Sequence, residues 1–476
     1  MEFHEPKSEK VRSLILAGGG LRVAYQAGVL LALEEEGIEF QHIDGTSGGI
    51  FNTAMIASGL EPKEIAKRWR SLKLANFISG KKAMSYLRPF KMKGFADADN
   101  IRAKVFPHLG INIEKINRNG RVKATFNVCN FSNKSIEAIP NEKVIEDHLI
   151  AGVSLPIFMP AIQIGESWYT DAVWIKDANL MEAVHHGAEE LWLVWAIGNG
   201  ATYLQGAFHQ YVHMIEMSAS GGLLEEYKQI ASIHKNTPSE LGKNGSSSCP
   251  KLYVLKSQIA LPLDPDFFLN KINARELINM GYSQAKDYLI NRPWKGEKMD
   301  PSATANLEPK YIYSFRAIFK GFIEWNSKNL PITYALFFRY ADFQNYDHLE
   351  AYASLIFIDD LEDIPTFNSR ISSTKLKDGN LLEVQSDIFI NSELYKIQIS
   401  TLLTNEWEIL LGLSFKQISF RLWDKNDKLM LKANLYQSFV DRFRSLYYSS
   451  LTSVMQKNVS VKEYFSIIKK FIAYGI

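Results

Sequence analysis

One stretch decides the fold of the first part of this chain: Phe40-Gln41-His42-Ile43-Asp44-Gly45-Thr46-Ser47-Gly48-Gly49-Ile50-Phe51-Asn52-Thr53-Ala54-Met55-Ile56-Ala57. An apolar-ended run precedes the central Gly-Thr-Ser-Gly-Gly, and an apolar, helix-compatible run follows it. Strand, sharp turn and helix in this order form a nucleophile elbow, whose turn exposes a serine hydroxyl. Gly45, Gly48 and Gly49 allow the tight turn around Ser47, and the N-terminus of the helix favours developing negative charge. The alternative is an ordinary turn whose serine caps a helix.

A glycine-rich loop precedes this elbow. The apolar run Val11 to Leu16 predicts a buried strand, Gly18-Gly19-Gly20-Leu21-Arg22 follows it, and a helical pattern extends from Val23 to Glu36. Such a loop presents N–H groups to an anion, either a phosphate or the oxyanion of acyl transfer. Val23 stands where a dinucleotide motif needs its third glycine, and no Gly-Lys-Ser/Thr follows. The serine elbow downstream therefore favours an oxyanion loop.

Asp171 is the third candidate residue. It ends the run Trp168-Tyr169-Thr170, whose residue types favour a strand. Upstream, Ala151 to Pro160 predicts the end of a helix that breaks into a loop bounded by prolines. Taken alone, such an aspartate is more typical of a turn or a helix cap than of a catalytic base.

Together the three motifs resemble the patatin-like phospholipase family over roughly residues 10–292. That family combines a glycine-rich oxyanion loop followed by Arg or Lys, a G-x-S-x-G elbow, and an aspartate in an Asp-Gly-Gly/Ala motif. The resemblance implies a dyad without histidine, with Ser47 as nucleophile and Asp171 as base. It also implies an oxyanion hole formed by Gly18, Gly19 and Gly20, with Arg22 at the family's basic position. The segments 154–160 and 274–282 are similar to the loop before the aspartate strand and to the closing helix.

Three positions depart from the family pattern. Val23 replaces a glycine, Ala172-Val173 replaces the glycine pair after the aspartate, and Lys176-Asp177-Ala178-Asn179-Leu180 replaces an Asn-Asn-Pro stretch. The dyad residues themselves are present, so we expect activity, while the changed aspartate loop also fits a weak or specialised enzyme.

The chemistry expected of these residues is acyl transfer. Ser47 would attack an acyl carbonyl, the glycine loop would hold the oxyanion, and an acyl-enzyme would pass to water or to another acceptor. Aromatic neighbours of Asp171 (Trp168, Tyr169 and Trp174) would desolvate the carboxyl and raise its pKa, which makes it a better base. A Ser-His-Asp triad is the rival mechanism, and its candidate histidines follow Asp171: His185, His186, His209 and His213. The first two lie in a helical pattern from Leu180 to Glu190, which favours a helix face over a catalytic base.

Length and composition bound the remaining possibilities. The 476 residues predict two or three domains, and an apolar fraction of 46% supports sizeable cores. A net charge of +2 does not indicate general nucleic-acid binding, and two cysteines, Cys129 and Cys249, form neither a disulfide framework nor a zinc site. The chemistry needs no metal or other cofactor. We see no signal peptide and no apolar run of the roughly 20 residues that span a bilayer, and therefore expect a cytoplasmic protein, either free or peripheral on a membrane.

The segment Lys63 to Lys93 is strongly basic. It holds ten Lys or Arg residues and one acidic residue, Glu64, with Trp69, Phe77, Tyr86, Leu87 and Phe90 interleaved. Basic and aromatic residues together predict contact with an anionic lipid surface. The alternative is a solvated lid held by a few core anchors.

Strand-like and helical runs alternate in the first part, which predicts a three-layer α/β/α domain over residues 10–292. Its strand-like runs are Val11–Leu16, Lys123–Val128, Leu191–Ala196 and Leu252–Leu255. A polar, turn-rich segment, 293–309, predicts a linker.

Residues 310–476 predict a β-rich sandwich or barrel with a helical tail from Val440 to Ile476. The strand-like runs are Tyr311–Phe322, Thr333–Tyr340, Tyr352–Ile358, Leu381–Ile390, Tyr395–Leu402, Ile409–Leu413 and Ile418–Leu422, with hairpin turns at 378–379 and 424–427. This part resembles no family we recognise and shows no catalytic constellation. It either packs on the first domain or binds lipid, a regulatory ligand or a partner.

The sequence thus predicts a serine acyl hydrolase acting on phospholipids or lysophospholipids. The alternatives are a lipid- or ligand-binding protein that keeps the fold with little turnover, and a transacylase that moves acyl chains to an acceptor lipid.

Overall fold

Short apolar runs between turns form the strands of this chain. The computed structural model describes residues 10–77, 79, 94, 97–236, 249–325, 327–343, 345–358, 362–403, 416–453 and 459–472. The chain divides into two units, one of Met1–Asn199, Gln205–Asp264 and Asn291–Asn306, and the other of Gly200–Leu204, Pro265–Ile290 and Leu307–Ile476.

The first unit is built on an eight-stranded sheet. Its strands are β1 Arg12–Leu16, β2 His42–Thr46, β3 Lys123–Asn130, β4 Ser135–Pro140, β5 Ile162–Ile164, β6 Ser167–Asp171, β7 Glu190–Trp195 and β8 Lys251–Lys256. Their order is β5-β6-β3-β2-β1-β7-β8, with β4 also paired to β3. Strands β3, β2, β1, β7 and β8 run parallel. The chain leaves β1 on one side toward β2 and later returns on the other side at β7, so β1 lies at a topological switch point, where open α/β sheets bind ligands.

Helices cover this sheet. They are α1 Ala24–Glu35, α2 Gly49–Ala57, α3 Pro62–Ser71, α4 Phe106–Leu109, α5 Ile113–Arg118, α6 Glu146–Gly152, α7 Leu180–His185 and α8 Ala207–Asn236. Strands β2 and β7 are buried at every position, as expected of parallel strands with helices on both faces. On one face, Ile15 and Leu193 share a core with Ala183 of α7 and Leu223 of α8. The predicted α/β fold is confirmed by these features.

The helix predicted from Val23 to Glu36 is confirmed as α1, and a 3₁₀ turn at Gly20–Val23 precedes it. The pattern from Leu180 to Glu190 is helical only to His185, because Gly187, at φ +82°, ends the helix and Glu190 begins β7.

The second unit contains one ten-stranded antiparallel sheet. Its strands are β9 Tyr311–Trp325, β10 Lys328–Asp342, β11 Asp347–Phe357, β12 Glu362–Pro365, β13 Phe367–Leu376, β14 Gly379–Ile390, β15 Glu393–Leu403, β16 Gln417–Asp424, β17 Leu429–Tyr436 and β18 Ser450–Ser453. The order is β12-β11-β10-β9-β17-β16-β15-β14-β13, with β18 also paired to β9. The two end strands, β12 and β13, are separated along the chain only by Thr366, whose N–H donates to the Ala353 carbonyl at 2.9 Å. The sheet is therefore curled like a barrel.

The prediction of a β-rich part with a helical tail is confirmed, with corrections of detail. Strands β12, β13 and β17 were not predicted, and β13 and β17 are largely exposed. The tail is not one continuous helical region: α11 (Phe439–Tyr448) and α12 (Val461–Ile472) flank β18. The predicted run Ile409–Leu413 lies outside the described residues. Helix α12 places Ile468 and Phe471 in the core of the sheet.

Two further helices, α9 Asp264–Phe268 and α10 Ala274–Ile290, complete the described fold. Helix α10, similar in sequence to the closing helix of the patatin-like family, lies in the second unit. In the segment predicted to be a linker, Glu297 donates its N–H to the Leu252 carbonyl within the first unit, at 2.6 Å. The division into functional domains stays a prediction. No helix among the described residues is long and apolar enough to span a bilayer.

Candidate active site

Ser47 lies at the turn between β2 and α2. Its φ of +50° is in the left-handed region, which disfavours residues other than glycine and costs about 1–3 kcal/mol. A Cβ on Gly45 would lie 2.3 Å from Thr53 Oγ1, and a Cβ on Gly49 would lie 2.0 Å from the Leu16 carbonyl oxygen. The turn therefore requires glycine at both positions, and it has the geometry of a nucleophile elbow.

The Ser47 hydroxyl donates a hydrogen bond to Asp171 Oδ2 at 2.7 Å. Asp171 ends β6 and is fully buried, and its second oxygen accepts the Val173 N–H at 2.9 Å. Burial raises the pKa of Asp171 to about 7, against the opposing effect of the Val173 and Ser47 hydrogen bonds. A carboxyl with such a pKa is matched to accept a proton near neutral pH.

The aromatic residues expected around Asp171 are arranged differently. Trp168 is 44% exposed, and the Tyr169 hydroxyl donates to Glu137 Oε2 at 3.1 Å. Trp174 packs against Tyr211 of α8, with ring centroids 5.8 Å apart. Burial and the negative charge of Asp171 raise the pKa of Tyr211 to about 12, which places this ring near the carboxyl. Nothing in the sequence around Asp171 pointed to Tyr211, since α8 is distant along the chain.

The glycine loop lies against the elbow. Gly19 and Gly20 have φ values of +142° and +58°, and the buried Arg22 donates Nε–H to the Gly19 carbonyl at 2.9 Å. A Cβ on Gly48 would lie 2.7 Å from the Gly20 carbonyl oxygen and 3.2 Å from its amide nitrogen. The structure thus brings the predicted oxyanion loop beside Ser47, while its role in holding an oxyanion stays a prediction.

One amide of this loop is engaged by a residue that the sequence did not single out as functional. The Gly18 N–H donates to Asp177 Oδ2 at 2.7 Å. On the outer side of the loop, the Leu21 N–H donates to Asp264 Oδ1 at 3.0 Å. The departure at 176–180 was the only signal for Asp177, and nothing local pointed to Asp264.

Asp177 is fully buried, and its Oδ1 has no hydrogen-bond partner among the described residues. The position that a Cβ on Gly18 would take lies 2.5 Å from this oxygen and 2.6 Å from Ser47 Cβ, so both side chains flank the Gly18 backbone. Burial, together with the charge of Asp171, holds the pKa of Asp177 well above its usual range, while the Gly18 N–H and the Arg22 charge act against this.

A buried polar network supports β2 below the elbow. Asp44 accepts hydrogen bonds from Thr125 at 2.6 Å and from Asn127 at 2.7 Å. Asn179 in turn donates to Asn127 Oδ1 at 2.7 Å, which connects the segment after Asp177 to the strands. These contacts fix the elbow strand relative to the loop that carries Asp177.

Residues 14–184, which contain all of these elements except Asp264 and Tyr211, match the family model of patatin-like phospholipases. This region is a patatin-like phospholipase domain. The crystal structure of VipD from Legionella pneumophila matches the chain with a TM-score of 0.32 and 11% identity, covering 59% of this chain and 67% of VipD. No curated protein matches the chain. The match supports a lipid hydrolase family for this domain.

The four histidines that were candidates for a Ser-His-Asp triad make other contacts. His186 stacks on His42 with ring centroids 4.1 Å apart, the His185 side chain is 68% exposed, and His213 contacts Glu216 at 3.2 Å. The His209 ring packs against Phe208. Within the described ranges, none of the four bonds to Ser47 or Asp171.

The basic segment is described only in its first half. Helix α3 buries Trp69, whose indole N–H donates to Asn52 Oδ1 at 2.7 Å, and Phe77 packs edge-on against Phe51 at 5.9 Å. These two aromatic residues are therefore anchors of the patatin-like domain. Tyr86, Leu87 and Phe90 lie outside the described residues.

Proposed function

We propose that the chain is a serine acyl hydrolase that cleaves acyl esters of phospholipids or lysophospholipids through Ser47, Asp171 and an acyl-enzyme. One observation carries the proposal: the 2.7 Å hydrogen bond from the Ser47 hydroxyl to the buried Asp171 carboxyl. The family of residues 14–184 supplies the lipid class of the substrate.

In the first half of the reaction, Asp171 accepts the Ser47 hydroxyl proton as Oγ forms a bond to the acyl carbon. The carbonyl oxygen becomes an oxyanion beside the Gly19–Gly20 segment, whose backbone lies next to the elbow. Collapse of this intermediate breaks the ester bond, and the departing alcohol takes the proton from Asp171.

In the second half, water attacks the acyl-enzyme and gives its proton to Asp171. The bond between the acyl carbon and Ser47 Oγ then breaks, Oγ takes the proton back, and a fatty acid leaves. One carboxyl thus serves as base and acid in turn, which requires a pKa near the working pH. The pKa of about 7 for Asp171 fits that requirement.

Contact with an anionic membrane through residues 63–93 forms part of the proposal. In the described half of this segment, α3 buries Ile65, Ala66 and Trp69 and leaves Lys67 exposed, and Lys73 beyond the helix is exposed too. Attraction by exposed cations is thus the form of contact that the described residues support. For residues 310–476, binding of a regulatory ligand or partner stays a prediction.

A second candidate is a lipid- or ligand-binding protein of weak turnover, or one that transfers acyl chains to another acceptor. It is favoured by the engagement of the Gly18 amide with Asp177 and by the low exposure of Ser47, 6%. If the Gly18 N–H stays bonded to Asp177, the oxyanion hole lacks one donor, and turnover falls by a factor of about 10²–10³.

Fatty-acid release from mixed phospholipid vesicles tests the proposal, with wild type, Ser47→Ala and Asp171→Asn compared side by side. We expect release by the wild type and loss of most of it in both variants. Saturable vesicle binding that Ser47→Ala leaves unchanged, without release, would support the binding protein. Transfer of acyl chains to an added lysolipid faster than to water would support the transacylase. Release that survives in Asp171→Asn but not in Ser47→Ala would place the base on another residue.

A further inference from the structure

Asp177 lies between the candidate oxyanion loop and the candidate nucleophile. Its Oδ2 accepts the Gly18 N–H, so a proton on this carboxyl resides on Oδ1. That oxygen faces the same side of Gly18 as Ser47 Cβ and has no hydrogen-bond partner among the described residues.

The two protonation states of Asp177 differ sharply in this setting. The ionised form leaves a buried, unpaired negative oxygen beside Ser47 and close to a second carboxyl, Asp171. Such a charge would repel an oxyanion. The neutral form offers an unused O–H donor at the same place, as neutral buried carboxylic acids do in some oxyanion holes.

The charged groups around Asp177 come from several segments of the chain. Asp171 at the end of β6 acts against ionisation, and Arg22 of the glycine loop favours it. Asp264, which accepts the Leu21 N–H, is a second carboxyl that interacts with Arg22. Lys176, the neighbour of Asp177, is paired with Glu226 at 2.7 Å. Arg22 is the cation that acts on Asp177 here, and it acts on Asp264 as well.

We propose that Asp177 works as a neutral acid, donating its Oδ1–H to the oxygen that gains negative charge when Ser47 attacks. The inference rests on the proposed function. The proton stays on Oδ1 throughout and no bond to it breaks, so the residue stabilises charge without transferring a proton. Asp171 must be ionised and Asp177 protonated in the same molecule, so the rate follows a bell-shaped pH profile whose alkaline limb belongs to Asp177.

The test compares wild type, Asp177→Asn and Asp177→Ala in the full chain, with p-nitrophenyl butyrate as the probe and Ser47→Ala as the blank. Asn keeps a donor and an acceptor but does not titrate. We expect kcat/KM of the wild type to fall on the alkaline side, while Asp177→Asn loses that limb and stays within about tenfold of the wild-type optimum. Asp177→Ala should lose about 10²–10³ at every pH, since it lacks the donor. An alkaline limb unchanged in Asp177→Asn, or full turnover in Asp177→Ala, overturns the proposal.

A second measurement, thermal unfolding at several pH values, tests whether Asp177 is protonated in the folded state and does not depend on turnover. The folded state holds the Asp177 proton at pH values where the unfolded chain releases it, so the wild type loses stability relative to Asp177→Asn as the pH rises. We expect the melting temperature of the wild type to fall relative to that of Asp177→Asn as the pH rises from about 4 to the alkaline limb. A difference that does not change with pH means that Asp177 is not held neutral, which overturns the proposal whatever the ester assay gives.

If wild type and Ser47→Ala hydrolyse the ester equally, the proposed function fails, and with it the catalytic role of Asp177. The melting curves still decide its protonation.

Discussion

Gly49 lies in backbone contact with Leu16: a Cβ added to this glycine would stand 2.0 Å from the Leu16 carbonyl oxygen and 2.8 Å from that of Ala17. The first turn of α2 and the end of β1 therefore approach so closely that no side chain fits between them. Because Ser47 precedes Gly49 by two residues and the glycine loop follows Ala17 directly, this contact sets the spacing between the candidate nucleophile and the candidate oxyanion loop.

Gly49→Ala should therefore damage both stability and activity. The added methyl has no space, so either strand or helix must move, at a cost of about 1–3 kcal/mol or more. Urea unfolding and ester hydrolysis measure the two effects. The matched control is Gly221→Ala on α8, where a Cβ meets nothing within 4 Å. That change should raise stability by about 0.5–1 kcal/mol, since alanine favours the helix. Unaltered stability of Gly49→Ala would contradict the observed contact.

The acid side of the pH profile belongs to Asp171. Hydrolysis needs its ionised form, so kcat/KM should rise with pH through about 7, the pKa to which burial raises this carboxyl. Asp171→Asn should lose about 10²–10⁴ in rate and show no such rise. A pH series of fatty-acid release measures this. A rise centred on the usual range of an exposed aspartate would contradict the burial of the dyad.

The same shift affects stability with a definite sign. A carboxyl whose folded pKa is raised stabilises the fold fully below the pKa of the unfolded chain, and this contribution is lost as the pH rises through about 7. Asp171→Asn should therefore gain stability relative to wild type between acid and neutral pH. Thermal unfolding at several pH values checks the direction, and a gain toward acid pH would refute it.

The second unit contains a buried ion pair between Arg316 of β9 and Glu276 of α10. Arg316 Nη2 donates to Glu276 Oε2 at 2.7 Å, Arg316 Nε donates to Oε1, and the side chains are only 10% and 6% exposed. Glu276→Ala would leave a buried charge unpaired, so we expect a loss of about 3–5 kcal/mol by denaturant unfolding. The exposed pair Arg118–Glu114 is the control, and Glu114→Ala should cost about 0.5 kcal/mol or less. Equal costs for the two variants would contradict the difference in burial.

If the chain binds membranes electrostatically, reversing the charge of exposed lysines in the segment 63–93 should weaken binding to anionic vesicles. The double variant Lys67→Glu and Lys73→Glu should weaken binding to vesicles containing phosphatidylserine by tenfold or more, at about 1 kcal/mol per cation. Lys115→Glu and Lys143→Glu make the same charge change on exposed residues outside the segment. Cosedimentation at low and high salt measures both pairs. Equal weakening by the two would point to net charge rather than to the segment 63–93.

The parts of the site predicted from the sequence are those that depend on local pattern. The elbow, the glycine loop and the parallel strands follow from glycine spacing and apolar runs, because their conformation depends on residues that are close together in the sequence. Asp171 follows from the family resemblance rather than from its own local pattern, and it accepts the Ser47 hydroxyl at 2.7 Å. The contacts of Asp177 and Asp264 with the glycine loop could not be predicted, because they join residues 159 and 243 positions apart.

Side-chain direction was equally hard to predict from pattern alone. The aromatic residue Trp69 fitted a lipid-facing surface in sequence, yet its indole N–H finds an acceptor, Asn52, in the interior. Strand β13 was missed because few of its side chains are buried, so its run lacks the apolar alternation that marks a half-buried strand.

The curled sheet of the second unit has a consequence for the route by which it forms. From β9 to β12 and from β13 to β17, each strand pairs with the next one along the chain, so most of the sheet can assemble from contacts between near neighbours. Among the described strands, β17, through Tyr436 and Lys320, and β18 return to β9. A chain released before β17 is complete would thus present unpaired margins at β9 and β16, ready to recruit strands from other copies. Pairing of β17 and β18 with β9 would therefore protect the sheet from aggregation.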